Sequence, residues 1–300
     1  MKLSVIIPCL DYEFSSYVET LKYSVRTILN ECRDFEIHVI LMLQSSTSDF
    51  SANDCELTDF SNKLKEDLTS ISVVHLQKCS VSLARNIGID LSIENGCSHV
   101  YFHDISIVVS KEFAGNFPRM NNVIDYACSG SPKFSSFTLP LMPSNSSNIN
   151  NYEPNFLKSI SYPAFNPYVW TYIFPINMIS DIRFCEKIGP GSDTKIKSGE
   201  DYIFLSDVLR KSRFYSLRSK NKSFVYHPLR KKFGEKSLIY AKGQGFSAKA
   251  VFMKYKRPSD LLYIFLFIIN SFFKIILMKQ NSVRIFKDRI RGLLLSIDEL

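Results

Sequence analysis

The sequence has no C-x-x-C pair. Its seven cysteines (Cys9, Cys32, Cys55, Cys79, Cys97, Cys128 and Cys185) are scattered and odd in number. That pattern argues against a zinc cluster and against a disulfide-stapled fold, and for a reducing cytoplasm. A secretory leader is not expected either. The opening MKLSVIIPCLDYE has a short apolar run, broken by Pro8, and lacks a small-residue cleavage site. No internal repeat is visible. Acids become scarce toward the end: residues 210–300 hold 21 Lys and Arg against 5 Asp and Glu, whereas residues 1–209 hold 16 and 24. A basic tail on an acidic body suggests a surface that meets phosphates, whether of nucleic acid, anionic lipid or a lipid-linked phosphate. The tail's charges are interleaved with aliphatic runs rather than exposed aromatic platforms, which argues against nucleic acid.

What is present is a chain of 300 residues, 45% of them hydrophobic, enough for one large α/β domain with a modest appendage. LSVIIP (3–8), EIHVILML (36–43) and ISVVHL (71–76) read as short buried strands. HVYFHDISIVV (99–109) reads as a fourth strand or strand pair. Between them Val18, Leu21, Val25, Ile28 and Leu29 recur at helical spacing, as do Leu57, Phe60, Leu64 and Leu68. Ser82 is placed to cap a third helix that ends near Gly96. Alternating strands and helices predict a mostly parallel sheet with helices on both faces. Ligands of such sheets lie outside the carboxyl ends of the strands. Asp11, the Gln44–Ser46 loop and Asp104 fall at or near those ends.

Residues 129–168 are rich in Ser, Asn and Pro and read as loop, either over a site or as a solvated connector. LLYIFLFIINSFFKIILM (261–278) is almost continuously apolar, but borderline in length for a spanning helix and interrupted by Lys274. Behind it Phe286, Ile290, Leu293, Leu294 and Ile297 form an apolar stripe among Arg284, Lys287, Arg289 and Arg291. A helix pair lying on the cytoplasmic leaflet is expected, with a hydrophobic homodimer interface or buried core helices as the alternative. The domain division read here is 1–255 for the α/β domain and 256–300 for the membrane-associating or dimerising helices.

SVIIPCLD, SLARNIGI, YFHDIS and RFCEKIGPGSDTKIKSGEDYIFLSDVLRK occur in this order. In order and spacing they resemble family 2 glycosyltransferases of the GT-A fold, most nearly the bacterial enzymes of capsule and O-antigen polysaccharide biosynthesis. The resemblance covers about residues 3–250, and its last motif is the most specific. It implies inverting transfer of a sugar from a nucleotide-sugar donor, uridine- or deoxythymidine-linked. The implied acceptor is an oligosaccharide on a polyprenyl diphosphate carrier. It implies Asp201 as the base and Glu200 as the residue orienting it or the acceptor. Pro8, Cys9, Asp11, Gln44, Ser45, Arg85, Asn86 and Asp104 would line the nucleotide-sugar site, and Gly199 and Trp170 the acceptor side. The chemistry is coherent: a carboxylate near the acceptor hydroxyl can take its proton. Cations or aimed N–H groups can meet the charge on the leaving diphosphate. Ser198-x-x-Asp201 also resembles a capping box, and acids in a first helical turn suit the helix dipole.

Two positions depart from the family. Leu43 stands where an acid commonly contacts the base, so Gln44 or Asp49 would substitute. The usual Asp-x-Asp is Asp104-Ile105-Ser106 here. A serine hydroxyl is a poor ligand for Mg²⁺ or Mn²⁺. Asp104 with the diphosphate and His227 is one way to hold a metal, with His103 also nearby. Neutralisation by Arg230, Lys231 and Lys232 is another. The alternative function is a catalytically inactive GT-A-like scaffold at the membrane. Histidines are more often structural than ligating.

Overall fold

The computed structural model describes residues 1–33, 35–45, 54–65, 70–110, 125–126, 133–135, 168–191, 194–211, 225–228 and 233–296. Asp49, Arg230, Lys231, Lys232 and nearly all of the 129–168 loop lie outside them. The chain divides into two compact units. The first takes Met1–Lys78, Ala84–Ile182 and Val208–Leu229. The second takes Cys79–Leu83, Arg183–Asp207 and Arg230–Leu300.

The first unit is α/β. Strands β1 (Lys2–Leu10), β2 (Glu36–Ser45), β3 (Ser70–Gln77) and β4 (His99–Phe102) alternate with helices α1 (Asp11–Glu31), α2 (Asp54–Lys65) and α3 (Val81–Glu94). They form the parallel part of a six-stranded sheet. Its other members, β6 (Asp125–Tyr126) and β8 (Tyr172–Pro175), pair antiparallel, giving the order β3-β2-β1-β4-β8-β6. A 3-10 turn (Val169–Thr171) precedes β8, and the four-residue helix α4 (Ile176–Ile179) follows it. Strands β5 (Val108–Val109), β7 (Lys133–Ser135) and β9 (Val225–Pro228) make a second sheet, ordered β5-β9-β7. The sequence segment 99–109 thus contributes to both sheets.

Alternation along β1 puts helices on both faces. Leu3, Val5, Ile7 and Cys9 face a core shared with Phe14, Leu21, Val25 and Ile28 of α1. Ser4 and Ile6 face α3. There Ser92 Oγ donates to Ser4 Oγ at 2.7 Å, and a Cβ on Gly88 would lie 2.5 Å from Ile6 Cγ2. Each fully buried Leu, Ile or Val contributes roughly 1.5–3 kcal/mol, so this two-sided burial holds β1 at the centre. The cap of α3 is Ser80 rather than Ser82: Leu83 N–H donates to Ser80 Oγ at 3.1 Å. Ser82 instead donates to the Ile188 carbonyl at 3.0 Å.

In the second unit the described helices are the start of α5 (Glu200–Lys211), then α6 (Phe233–Tyr255), α7 (Pro258–Ile276) and α8 (Ser282–Leu294). Two glycines let α6 and α8 touch backbone to backbone. A Cβ on Gly245 would lie 2.0 Å from the Arg289 carbonyl oxygen, and one on Gly292 2.0 Å from that of Lys242. Arg289 ties three helices together. Its Nη2 and Nε donate to Gln244 Oε1 at 2.7 and 3.1 Å, its Nη1 donates to Ser271 Oγ at 2.6 Å, and its guanidinium lies 4.5 Å from the Phe267 ring centre. Lys249 Nζ donates to the Leu295 carbonyl at 2.7 Å, closing the end of α8.

Candidate active site

In the first unit, β1, β2 and β4 are neighbours, so their carboxyl ends bring several of the named residues together. Cys9 pairs in register with Leu43, and Leu10 with Gln44. Asp11 begins α1 directly after β1. Ser45, the last residue of β2, donates to Asp11 Oδ2 at 2.7 Å, and Tyr12 N–H donates to Asp11 Oδ1 at 2.7 Å. Gln44 and Ser45 therefore end a strand rather than sit in a loop, and both are buried. Leu43 points into the core with Leu41 and Cys9.

Asp104 follows β4, beside β1: His103 N–H donates to the Ile6 carbonyl at 2.9 Å. Asp104 Oδ1 accepts from Ser106 N at 3.0 Å and from Ser106 Oγ at 2.9 Å. The missing second acid is thus a turn-forming hydroxyl that braces the first. Burial pushes the Cys9 thiol up, and the negative charges of Glu13, Asp104 and Asp11 push it further in the same direction. Cys9 is thus held as a neutral thiol at the end of β1, where Asp11 and Glu13 of the first turn of α1 and Asp104 after β4 all act on it. Glu13 is the member that sequence reading missed. Its signal was its place in the first turn of the helix that Asp11 begins.

His103 turns inward. Its Nε2 is 2.8 Å from Ser24 Oγ, and burial lowers its pKa to about 4, leaving a neutral ring. It serves packing rather than a metal. Among the described residues no three His, Cys, Asp or Glu side chains form a self-sufficient cation site. His227 lies on β9, paired with Phe134, and its side chain is outside the described set. Arg85 and Asn86 occupy the second turn of α3 and are both buried. Trp170 is 6% exposed, stacked on Tyr168 with ring centres 4.8 Å apart, within the core of this unit.

The acids of the second unit are built differently. The loop 188–197 closes on itself: Gly189 N–H donates to the Ile196 carbonyl at 2.8 Å, and Thr194 Oγ1 to the Gly189 carbonyl at 2.7 Å. It is pinned to the start of α3, where Val81 N–H donates to the Pro190 carbonyl at 2.9 Å. Ser198 Oγ donates to the Tyr240 carbonyl of α6 at 2.8 Å. Gly199 follows at φ +103°, and a Cβ there would lie 2.7 Å from the Gly243 carbonyl oxygen. Only glycine fits both that dihedral and that contact. Glu200 and Asp201 then open α5. Glu200 is 7% exposed. A Cβ on Gly189 would lie 3.1 Å from both its carboxyl carbon and Ser82 Oγ. Asp201 is partly exposed. Behind it Phe204 stacks on Phe184 with ring centres 3.9 Å apart, and Tyr202 meets Tyr263 of α7. One acid is thus locked in the loop's packing, and the next reaches solvent.

No protein-family model matches the chain, and no curated protein matches it. Solved structures do. One is a mannosyltransferase from Pyrobaculum calidifontis in complex with GDP-mannose and Mn²⁺, with a TM-score of 0.52 at 10% identity, covering 99% of this chain and 76% of that one. The two chains share a fold. That is the α/β, mostly parallel architecture expected from the strand and helix pattern, here matched to a glycosyltransferase structure. Within it the acids around β1 and β4 lie at the carboxyl edge of the sheet, where such folds take ligands.

Proposed function

We propose that the chain is an inverting glycosyltransferase, moving a sugar from a nucleotide-sugar donor to an oligosaccharide on a polyprenyl diphosphate carrier. It works at the cytoplasmic face of a membrane, in surface polysaccharide synthesis of the family 2 type. The observation that carries this reading is the placing of Asp11 directly after β1 and of Asp104 after the neighbouring β4, at the carboxyl ends of a parallel sheet whose fold matches a solved glycosyltransferase. The neighbouring structure's GDP-mannose supports a nucleotide-sugar donor. Asp11 and Ser45 would hold the nucleoside, with Arg85 offered to the diphosphate.

Asp201 is the proposed base. It accepts the proton of the acceptor hydroxyl as that oxygen bonds to the anomeric carbon, while the bond to the nucleoside diphosphate breaks on the opposite face. The sugar inverts. Glu200, held by the loop packing, positions Asp201 or the acceptor. Gly199 and Trp170 are proposed for the acceptor side. Asp104 would hold a divalent cation together with oxygens of the bound diphosphate. When bound, Mg²⁺ or Mn²⁺ would neutralise charge on the leaving group.

Incubating the protein with a panel of nucleotide sugars and a lipid-linked acceptor tests the reading. Asp201→Asn should lower kcat by about 10²-fold or more and leave donor affinity, read by calorimetry, unchanged. Normal transfer by that variant would remove the base assignment. Ser106 in place of an acid favours a second reading, an inactive scaffold. It predicts no binding of any nucleoside diphosphate, with or without Mn²⁺.

A further inference from the structure

Helix α7 has one face that the fold does not use. Asp260, Phe267 and Ser271 are its buried residues. Successive residues turn by about 100°, so these three share one side. On the opposite side Leu262, Phe265, Leu266, Phe272, Phe273 and Ile276 are all more than 45% exposed. No charged residue interrupts that arc. It continues into Leu277 and Met278, the latter 91% exposed. Helix α7 spans 19 residues and is long and apolar enough to cross a membrane by composition. Its packing argues otherwise. It lies along α6 and α8, and Arg289 reaches its Ser271 hydroxyl from α8. Spanning would pull that guanidinium and the other cations of α8 into hydrocarbon, at a cost of several kcal/mol.

The rim is basic. Lys256 and Arg257 precede α7, Lys274 and Lys279 close it, and Arg284 and Lys287 follow on α8; all six are exposed. Between residues 256 and 296 the only acids are Asp260, buried, and Asp288, whose Oδ1 pairs with Arg291 at 3.1 Å. Burial first, then the neighbouring Arg289 charge, lowers the Lys274 pKa.

We infer that α7 docks in the plane of an anionic lipid bilayer, its apolar arc in the acyl boundary and the surrounding lysines and arginines on lipid phosphates. This deepens the membrane setting of the proposed function, and rests on α7 and α8 alone. A consequence follows within the second unit. Helix α6, which supports α7 and α8, also carries Gly243 and Tyr240, the seats of Ser198 and Gly199. Tyr263 of α7 packs on Tyr202, the residue after Asp201. The lipid-facing helix and the acid-bearing turn belong to one packed body, so docking sets the height of Asp201 above the headgroups.

The test mixes the full chain with vesicles of phosphatidylcholine alone, or of phosphatidylcholine with phosphatidylglycerol, and sediments them. Binding should be at least about tenfold stronger to the anionic vesicles and weaken at high salt. Phe265→Glu with Phe272→Glu should abolish it. Lys256→Glu with Arg257→Glu and Lys274→Glu should reduce it to the level on neutral vesicles. Tryptophan placed at Phe265 or at Ile276 should be quenched at one shallow depth by brominated lipids. Different depths at the two sites would overturn the in-plane orientation. No partition onto anionic vesicles, or partition indifferent to the Glu pair, would overturn the docking surface. So would a dimer, seen by light scattering, that the Glu pair dissolves while vesicles stay unbound. The assay contains no sugar donor. Its failure leaves glycosyl transfer standing, and failed transfer with intact vesicle binding leaves this surface standing.

Discussion

Gly199 sits where a left-handed backbone and a helix carbonyl meet, two residues before the proposed base. Alanine there would take a φ near +103° and press its Cβ to within 2.7 Å of the Gly243 oxygen and the Ser247 Cβ. Neither obstacle is the far end of a flexible side chain, so the turn has to move. Gly199→Ala should cost about 2 kcal/mol, read as a lower thermal midpoint, and should lower kcat more than it changes KM for the donor. A variant with wild-type stability would mean that the loop and α6 separate without penalty. Glu200 gives a contrast within the same turn. Its carboxylate is packed against Gly189, so Glu200→Gln should keep the shape and be tolerated better than Glu200→Ala. That ordering is expected in both melting and turnover.

At the scale of elements, Arg289 holds α6, α7 and α8 together through an amide oxygen and a hydroxyl, those of Gln244 and Ser271. Gln244→Leu would remove the one oxygen that accepts two hydrogen bonds from a desolvated cation and should cost about 3 kcal/mol. Arg289→Met with Gln244→Leu should recover much of that, because an apolar pair leaves no charge behind. Denaturant unfolding of the single and double variants measures this, and additive losses would mean the clasp is not coupled. Much of this architecture was legible in advance. The helical spacing of Leu21, Val25 and Ile28, and the β-branched runs of β1 and β2, announce elements whose burial is decided by local period. The two helices after residue 256 were legible too, from a long apolar run and a stripe at helical spacing, whereas α6 was not read. The partners were not. β8 pairs with β4 across seventy-odd residues of chain, and Arg289 finds Gln244 45 positions away. Short-range spacing carries no trace of such pairings. At the site, Asp11 and Asp104 could be placed at strand ends, because strand ends are readable. That Ser106 braces Asp104, or that Ser80 rather than Ser82 caps α3, depends on hydroxyl geometry that composition does not encode.

For the molecule as a whole, pH enters through buried histidines, His103 and His99. His99, on β4, is 1% exposed. Burial first lowers its pKa from 6.5 to about 4. Between those values the unfolded chain binds a proton that the folded chain refuses. The stability contribution is therefore full above pH 6.5 and declines as the pH falls toward 4, at up to about 1.4 kcal/mol per pH unit. Thermal midpoints measured across this window should flatten by about one proton's worth in His99→Gln; an unchanged slope would mean that this ring titrates normally. The chain's path between the two units has a different consequence, in time. The chain enters the second unit at Cys79, at Arg183 and at Arg230. The stretch holding Glu200 and Asp201 leaves the ribosome before Tyr240, Gly243 and Tyr263 exist. Until about sixty more residues have been made, the turn bearing the acids lacks the supports that α6 and α7 give it. Nascent chains stalled short of that point should thus lack an ordered acid-bearing turn, however complete their sheet.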